Sequence, residues 1–279
     1  MKKICAGIFL LVLLVSCQQN KKNSVASRDT LSRDSTDIFL PADSLDADSS
    51  NYRDGDELFD DFIFNFASDD KYQLNRISFP LPYRNLDRTS DIARNDWKYD
   101  ELFAADSYYT LIFDRERDLD LISDTTLNAV QFEWIYFADR IMRSYQFNRI
   151  DGDWLLQGIV RERIPEPGES GFIRFFTRFS TDSLFQNASV REPLTFVTTD
   201  PDDDFSIIET TLPLNQWHAF KPDLPVIRMS NINYGQVIRS DSRNKIVILK
   251  GIGNGFSNTL YFKRKGKSWE LYKFEDTSN

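Results

Sequence analysis

The sequence is poor in the side chains that carry most metal-binding and nucleophilic chemistry. It has two cysteines and one histidine, His218, among 279 residues. The chain therefore lacks the residues needed for a zinc site of cysteine and histidine, or for a Ser-His or Cys-His catalytic pair. Both cysteines, Cys5 and Cys17, lie at the N-terminus, so the body of the chain cannot form a disulfide. It must be stabilised by a hydrophobic core, and it is long enough to bury one.

Positive charge is also in short supply. The chain has 34 Lys and Arg against 43 Asp and Glu, a net charge of −9. Phosphate backbones and anionic headgroups repel such a protein, which excludes nucleic acid as a partner. Aromatic residues are abundant by contrast, with 23 Phe, 11 Tyr and 5 Trp. They favour strands and a packed core over disorder.

The first seventeen residues, MKKICAGIFLLVLLVSC, are typical of a bacterial export signal. A basic start precedes an apolar run at 4–15, which is shorter than the about 20 residues that a spanning helix needs. The run ends in Leu-Val-Ser-Cys, which resembles a lipobox, the signal in which the cysteine is acylated and becomes the new N-terminus. We therefore predict that residues 1–16 are removed and that palmitate-type acyl chains on Cys17 hold the protein to a membrane.

Residues 18–53 are mostly small, polar and charged, and we interpret residues 17–53 as an acylated N-terminus followed by a flexible tether. Lipoproteins displayed on the surface of Bacteroidetes-type cells tend to carry acids soon after the cysteine, but QQNKK follows here. This departure favours a cell-envelope location, on the outer membrane facing the periplasm.

An internal repeat organises the rest of the chain. Residues 59–81 align without a gap with residues 172–194, with seven identities: Phe59/Phe172, Phe62/Phe175, Phe66/Phe179, Asp69/Asp182, Gln73/Gln186, Pro80/Pro193 and Leu81/Leu194. Residues 145–159 likewise match 260–274, with a shared Phe, Arg, Trp and Leu. We interpret the chain as a tandem duplication, with one repeat at 54–164 and another at 168–276. The Pro-Glu-Pro-Gly-Glu joint between them is a short stiff linker.

Each repeat has the pattern of an α+β domain. Phe59, Phe62, Ile63 and Phe66 form one apolar helical face, and the second repeat has a similar face. Alternating residues at 130–137 predict a strand, and Asp151-Gly152 predicts a hairpin turn. We therefore expect two tandem units, each a helix packed on a curved antiparallel sheet.

The F-x-x-F-x-x-x-F-x-x-D helix, the Phe-Pro-Leu segment, the following Trp and the terminal F-x-R…W hairpin resemble a family of Bacteroidales lipoproteins of unknown function. That resemblance implies the nuclear transport factor 2-like fold, a cone of curved sheet closed by helices. It implies no activity. Such cones have two or three N-terminal helices, whereas the pattern predicts one in each half.

Few side chains remain as candidates for a site. Glu133 has the most apolar neighbours of any acid and is the weak candidate for a catalytic carboxylate, although alternation predicts that it points away from the apolar face. Trp97 and Trp217 could line the mouth of a pocket. We predict that His218 faces solvent, because Lys98 occupies the matching position in the first repeat.

Three other motifs have structural interpretations. Asp69 and Asp182 recur at the end of the first helix in each half, which favours a capping role. The acidic run 200–204 lacks the ligand spacing of a calcium loop and is predicted to be a solvated turn. Gly251-Ile252-Gly253-Asn254-Gly255 precedes a strand pattern rather than a helix, so it predicts a turn and no phosphate site. No metal or cofactor is expected.

These observations favour a non-catalytic envelope lipoprotein that binds a small molecule or another envelope protein. Two alternatives stay open. One is an enzyme, such as an isomerase, dehydratase or hydrolase, that uses a buried carboxylate in one cone. The other is a structural subunit of an outer-membrane complex, which predicts a large exposed apolar patch.

Overall fold

The computed structural model describes residues 58–164, 170–236, 239 and 241–279. The predicted signal peptide, Cys17, the tether and the joint at 165–169 lie outside these residues. Within the described ranges, no helix combines the length and the apolarity needed to cross a bilayer.

The described part of the first half, residues 58–164, contains two helices and six strands: α1 (Phe59–Ser68), α2 (Asp70–Asn75), β1 (Leu81–Asn85), β2 (Arg88–Ile92), β3 (Tyr108–Phe113), β4 (Ala129–Tyr136), β5 (Ile141–Ile150) and β6 (Asp153–Arg163). The second half follows the same order with one added helix: α3 (Ser170–Thr181), α4 (Ser183–Ala188), β7 (Val190–Asp200), β8 (Asp203–Leu212), α5 (Leu214–Phe220), β9 (Arg228–Asn233), β10 (Asn244–Gly251), β11 (Ser257–Lys265) and β12 (Ser268–Asp276). Short 3₁₀ turns occur at Arg94–Asp96 and Glu116–Ser123. The predicted α+β class is confirmed.

Each half begins with two helices, not the single helix predicted. Asp69 has extended backbone (φ −130°, ψ 119°) and ends α1, and its carboxylate accepts hydrogen bonds of 2.9 Å from the N–H groups of Lys71 and Tyr72. Asp182 caps α4 in the same way through the N–H of Phe185. The capping role predicted for both aspartates is therefore confirmed. The number of helices was wrong because a six-residue helix is too short to show an apolar period.

The aromatic faces predicted for α1 and α3 form the centres of two cores. Phe62 and Phe66 are fully buried and meet the ring of Phe147 in β5 edge-on, with centroids 5.4 and 5.1 Å apart. The phenylalanines of α3 surround Phe262 of β11 in the same manner. Each fully buried Phe contributes about 1.5–3 kcal/mol, so these contacts hold the helices on the sheets.

The strands form two six-stranded sheets. Sheet A has the order β2-β1-β6-β5-β4-β9, and sheet B has the order β3-β10-β11-β12-β7-β8. Each contains one parallel pair, β1 with β6 and β7 with β12. Each also takes one strand from the other half, because β3 pairs with β10 and β9 pairs with β4. The halves thus exchange their third strands, and the described residues of both halves form one compact unit.

The exchanged strands, which are the outer strands of their sheets, contact each other through buried side chains. The N–H of Thr110 in β3 donates to Oγ of Ser230 in β9 at 2.7 Å, and the Thr110 hydroxyl donates to the Ser230 carbonyl. The N–H of Ile112 donates to Oδ1 of Asn231 at 2.8 Å. These bonds satisfy backbone N–H groups at the outer edge of β3 that would otherwise have no partner. This outer strand of sheet B is therefore bonded to an outer strand of sheet A.

Candidate functional site

A cleft of about 430 Å³ opens where β3 and β9 begin. We call it the junction cleft. It is lined by Asp106, Ser107, Tyr108, Thr110, Trp134, Leu224, Pro225, Val226, Ile227, Arg228, Met229 and Ser230. Its volume lies within the range of about 300–1,000 Å³ that is usual for small-molecule sites. Both halves contribute to it, with residues 106–134 from the first half and residues 224–230 from the second.

One wall combines an aromatic ring with a cation. The guanidinium carbon of Arg228 lies 3.9 Å from the ring centroid of Trp134. Strand register explains this contact, because Arg228 pairs with Tyr136 and is therefore diagonal to Trp134 on the same face of sheet A. Arg228 also lies 3.7 Å from the carboxylate of Asp106, which precedes β3. The wall thus offers a stacked cation beside an acid.

The segment before β9 supplies an apolar rim. Val226 and Ile227 are 56% and 75% exposed, although large aliphatic side chains are usually buried. The neighbouring Leu224 is buried and anchors the segment in the second core. A ligand that covered this rim would remove apolar surface from water, which is favourable by about 25 cal/mol per Å².

A recess of about 260 Å³ adjoins the junction cleft and shares Ser107 and Tyr108 with it. The loop between β10 and β11 forms one side of it, where the side-chain amide of Asn254 donates to the carbonyl of Ser107 at 3.0 Å. The φ of Gly253 in this loop is 64°, a conformation that favours glycine. The glycine-rich segment is therefore a turn between strands, as predicted.

The hydroxyl groups that line the cleft act as neutral hydrogen-bonding groups. Burial, followed by the nearby carboxylates of Asp223 and Asp106, raises the pKa of Tyr108 to about 12. Tyr108 is therefore a neutral donor near pH 7, and its hydroxyl donates to the Asp223 carbonyl at 2.8 Å. The hydroxyls of Thr110 and Ser230 bond to each other and to the backbone. A nucleophilic hydroxyl needs an adjacent base, and these hydroxyls face groups that cannot take a proton at neutral pH.

Comparison with known proteins gives the chain a family. Residues 42–276 match the family model described as Domain of unknown function (DUF4348). The chain belongs to the DUF4348 family. The crystal structure of an NTF2-like protein from Bacteroides fragilis NCTC 9343 is similar to this DUF4348 chain, with 59% sequence identity and a TM-score of 0.77. The match covers 81% of this chain and 98% of that chain, which confirms the predicted NTF2-like fold and the resemblance to Bacteroidales proteins. No curated protein matches the chain.

Glu133 points away from the face of β4 that carries Phe132 and Trp134, as alternation predicts, but its own face is also buried in the DUF4348 fold. Its side chain is 3% exposed and accepts a hydrogen bond of 2.8 Å from the amide of Asn231. Alternation could not show this burial, which arises because the second core covers that face of β4, where Ile135 and Met142 belong to the cluster around Phe176. Glu133 lines neither the junction cleft nor its recess.

Trp97 and Trp217 also lie away from both cavities, and each is held by a buried glutamine. The indole N–H of Trp97 donates to Oε1 of Gln73 at 3.0 Å, and that of Trp217 donates to Oε1 of Gln186 at 3.2 Å. The glutamine side-chain amides donate in turn to carbonyls of α1 and α3, those of Phe66 and Phe179. Each glutamine, on the second helix of its half, therefore joins the tryptophan that follows the second strand to the backbone of the first helix. The Gln73/Gln186 identity in the repeat was the available signal for this role.

The remaining candidates behave as expected. His218 is exposed on α5, and the acidic run forms a tight turn between β7 and β8. Among the residues that the structure describes, no three His, Cys, Asp or Glu side chains are grouped to hold a metal ion. Sequence reasoning missed the junction cleft, although the apolar run Leu224–Ile227, interrupted by proline, was a detectable signal.

Proposed function

We propose that this protein is a lipid-anchored envelope protein that binds a small molecule, or an inserted side chain of a partner protein, in the junction cleft without catalysing a reaction. The observation that carries the proposal is the exposed apolar rim of Val226 and Ile227 beside the Arg228–Trp134 wall. A concave, mostly apolar lining with a few convergent polar groups is the usual form of a binding site.

The chemistry of the lining suggests the kind of ligand. An apolar body would cover the rim, and one polar group would meet the Arg228–Asp106 pair, whose atoms are 3.7 Å apart and partly exposed. Such a pair can donate through the guanidinium and accept through the carboxylate, so it orients a ligand that carries both functions. The Tyr108 hydroxyl donates its one proton to the Asp223 carbonyl, so its oxygen adds an acceptor to the lining.

Anchoring through Cys17 places this site near a membrane. Residues 18–53 would act as a coil with a root-mean-square span of roughly 30–35 Å, which lets the folded part stand clear of the headgroups. More than one acyl chain makes attachment effectively permanent. We place the protein on the outer membrane, facing the periplasm.

The two halves are proposed to descend from one α+β unit by tandem duplication, with boundaries near 54–164 and 168–276. The common order of helices and strands supports this origin. So do the recurrence of the buried Gln–Trp pair and the reciprocal exchange of the third strands.

The binding proposal is tested by native mass spectrometry of the full-length protein, extracted from its own membrane in mild detergent. We expect a retained mass that Ile227→Arg removes, because the added cation occupies the rim of the cleft. Leu184→Arg is the matched control, since Leu184 is 81% exposed on α4 and lies outside the cleft. A wild-type protein that carries no added mass, or equal retention by both variants, would contradict the proposal.

The anchoring proposal has a separate test. Cells fed labelled palmitate should incorporate label into the wild-type protein but not into Cys17→Ser, which should leave the membrane fraction or remain an uncleaved precursor. Label in the serine variant would refute lipidation at this residue.

A further inference from the structure

The two sheets end in outer strands of different character. β2, at the edge of sheet A, has five residues, Arg-Thr-Ser-Asp-Ile, and the first four are exposed. A short, charged edge is protected against pairing with other strands. β8, at the edge of sheet B, has ten residues, and within the described part of the chain it pairs with β7 alone. Its outer row of backbone N–H and C=O groups is therefore open for pairing.

The open edge also carries apolar side chains on both faces. Ile207 is 67% exposed and Ile208 is 39% exposed, and successive residues of a strand point to opposite faces. On the face of Ile208, the ring of Phe220 packs 5.5 Å from Phe196 of β7 and remains 45% exposed. A long open edge with this surface is where another strand would add.

We propose that β8 pairs antiparallel with β8 of a second copy of this chain, with the two-fold axis at Ile207. Two-fold symmetry between antiparallel strands places one residue opposite its own copy. With Ile207 on the axis, the two Ile207 side chains meet directly on one face. On the other face, Ile208 lies opposite Ser206 of the second copy and diagonal to the second Ile208, within reach of contact.

The strand is self-complementary in this register. Asp203 falls opposite Thr211 of the second copy, and Glu209 falls opposite an uncharged position, so these two acids do not face another acid directly. Moving the axis by one residue to Ile208 would take Ile207, the more exposed of the two isoleucines, away from its own copy and set it against Glu209. A second copy supplies an edge of the same length and the same apolar pair, which is why we choose it as the occupant.

Sedimentation equilibrium of the full-length chain in mild detergent tests the pairing. We expect a monomer–dimer equilibrium that strengthens as salt is raised, because each copy has a net charge of −9 and salt screens their repulsion. Ile207→Lys sets two cations opposite each other on the axis and should raise the dimer Kd by roughly tenfold or more. Leu184→Lys, the same change at an exposed aliphatic residue on α4, should leave the Kd unchanged. A monomer at all concentrations, or a dimer insensitive to Ile207→Lys, would overturn the proposal.

Disulfide trapping tests the register. In a chain with Cys5→Ser and Cys17→Ser, mild oxidation of Ile207→Cys should give a covalent dimer, since directly opposite residues reach disulfide distance. Thr211→Cys should give little, because it faces Asp203 of the second copy rather than itself. Equal trapping at both positions, or a monomeric chain whose β8 edge holds a different protein, would refute the pairing.

Discussion

Replacing Asp60 by Asn tests whether one carboxylate ties the first helix to the rest of the fold. Asp60 lies in the first turn of α1, and its side chain is 14% exposed. It accepts hydrogen bonds from the Tyr109 hydroxyl in β3 at 2.8 Å, from the Tyr234 hydroxyl just after β9, and from Nζ of Lys250 in β10 at 2.9 Å. The partners thus lie on or beside both exchanged strands and β10.

The expected cost follows from these three partners. Asn keeps one acceptor oxygen, but it loses the negative charge and the oxygen shared by Tyr109 and Lys250. A hydrogen bond to a charged group contributes about 1.5–3 kcal/mol. The Lys250 side chain is 44% exposed, so its ion pair adds only about 0–1 kcal/mol. Losing one tyrosine bond and weakening the other should lower the free energy of unfolding by about 2–4 kcal/mol. The melting temperature should then fall by roughly 5–15 °C.

Urea unfolding of Asp60→Asn beside Asp61→Asn is the measurement. Asp61 is the exposed acid next to Asp60 in the same helical turn, so its substitution should stay within about 0.5 kcal/mol of the wild type. A double-mutant cycle with Tyr234→Phe should give a coupling energy of about 1 kcal/mol or more. Equal stability of the two Asn variants would refute the claim that this carboxylate joins the halves.

Three further predictions concern stability. Gln186→Leu leaves a buried indole N–H unpaired and should lower the free energy of unfolding in urea by about 1–3 kcal/mol, whereas exposed Gln216→Leu should not. The hydrogen bond from Lys265, with lesser help from Arg191, lowers the pKa of Glu270 below its usual value. The ionised Glu270 carboxylate therefore stabilises the fold above the pKa that it has in the unfolded chain, and this stabilisation is lost as the pH falls through its pKa in the folded protein. Glu270→Gln should lower the melting temperature at pH 7 and should match the wild type in strong acid. Burial raises the pKa of Tyr145 and of the other buried tyrosines, so each should destabilise the fold by about 1.4 kcal/mol per pH unit above about 10, and the tyrosinate absorbance of these buried residues should appear only on unfolding.

Local features of this protein could be predicted because they depend on near neighbours in the chain. The four-residue spacing of Phe62 and Phe66 determines a buried helical face, and Asp69 can cap only the turn that follows it. The Asp151-Gly152 turn likewise joins β5 and β6 as expected. The same features recur in the second half, and this strengthened each prediction, because a pattern that occurs twice at matching positions has the same structural cause in both places.

Only the tertiary structure decided which strands pair across the halves. β4 and β10 occupy equivalent positions in the two repeats, so β3 could pair with either and satisfy the same local pattern. Alternation therefore could not reveal that the second core covers the face of Glu133, nor that Asp60 meets Tyr234. The sequence by itself determined the helical faces, caps and turns, through contacts a few residues apart. The exchange of β3 and β9, and with it the junction cleft, arose from packing between segments more than a hundred residues apart.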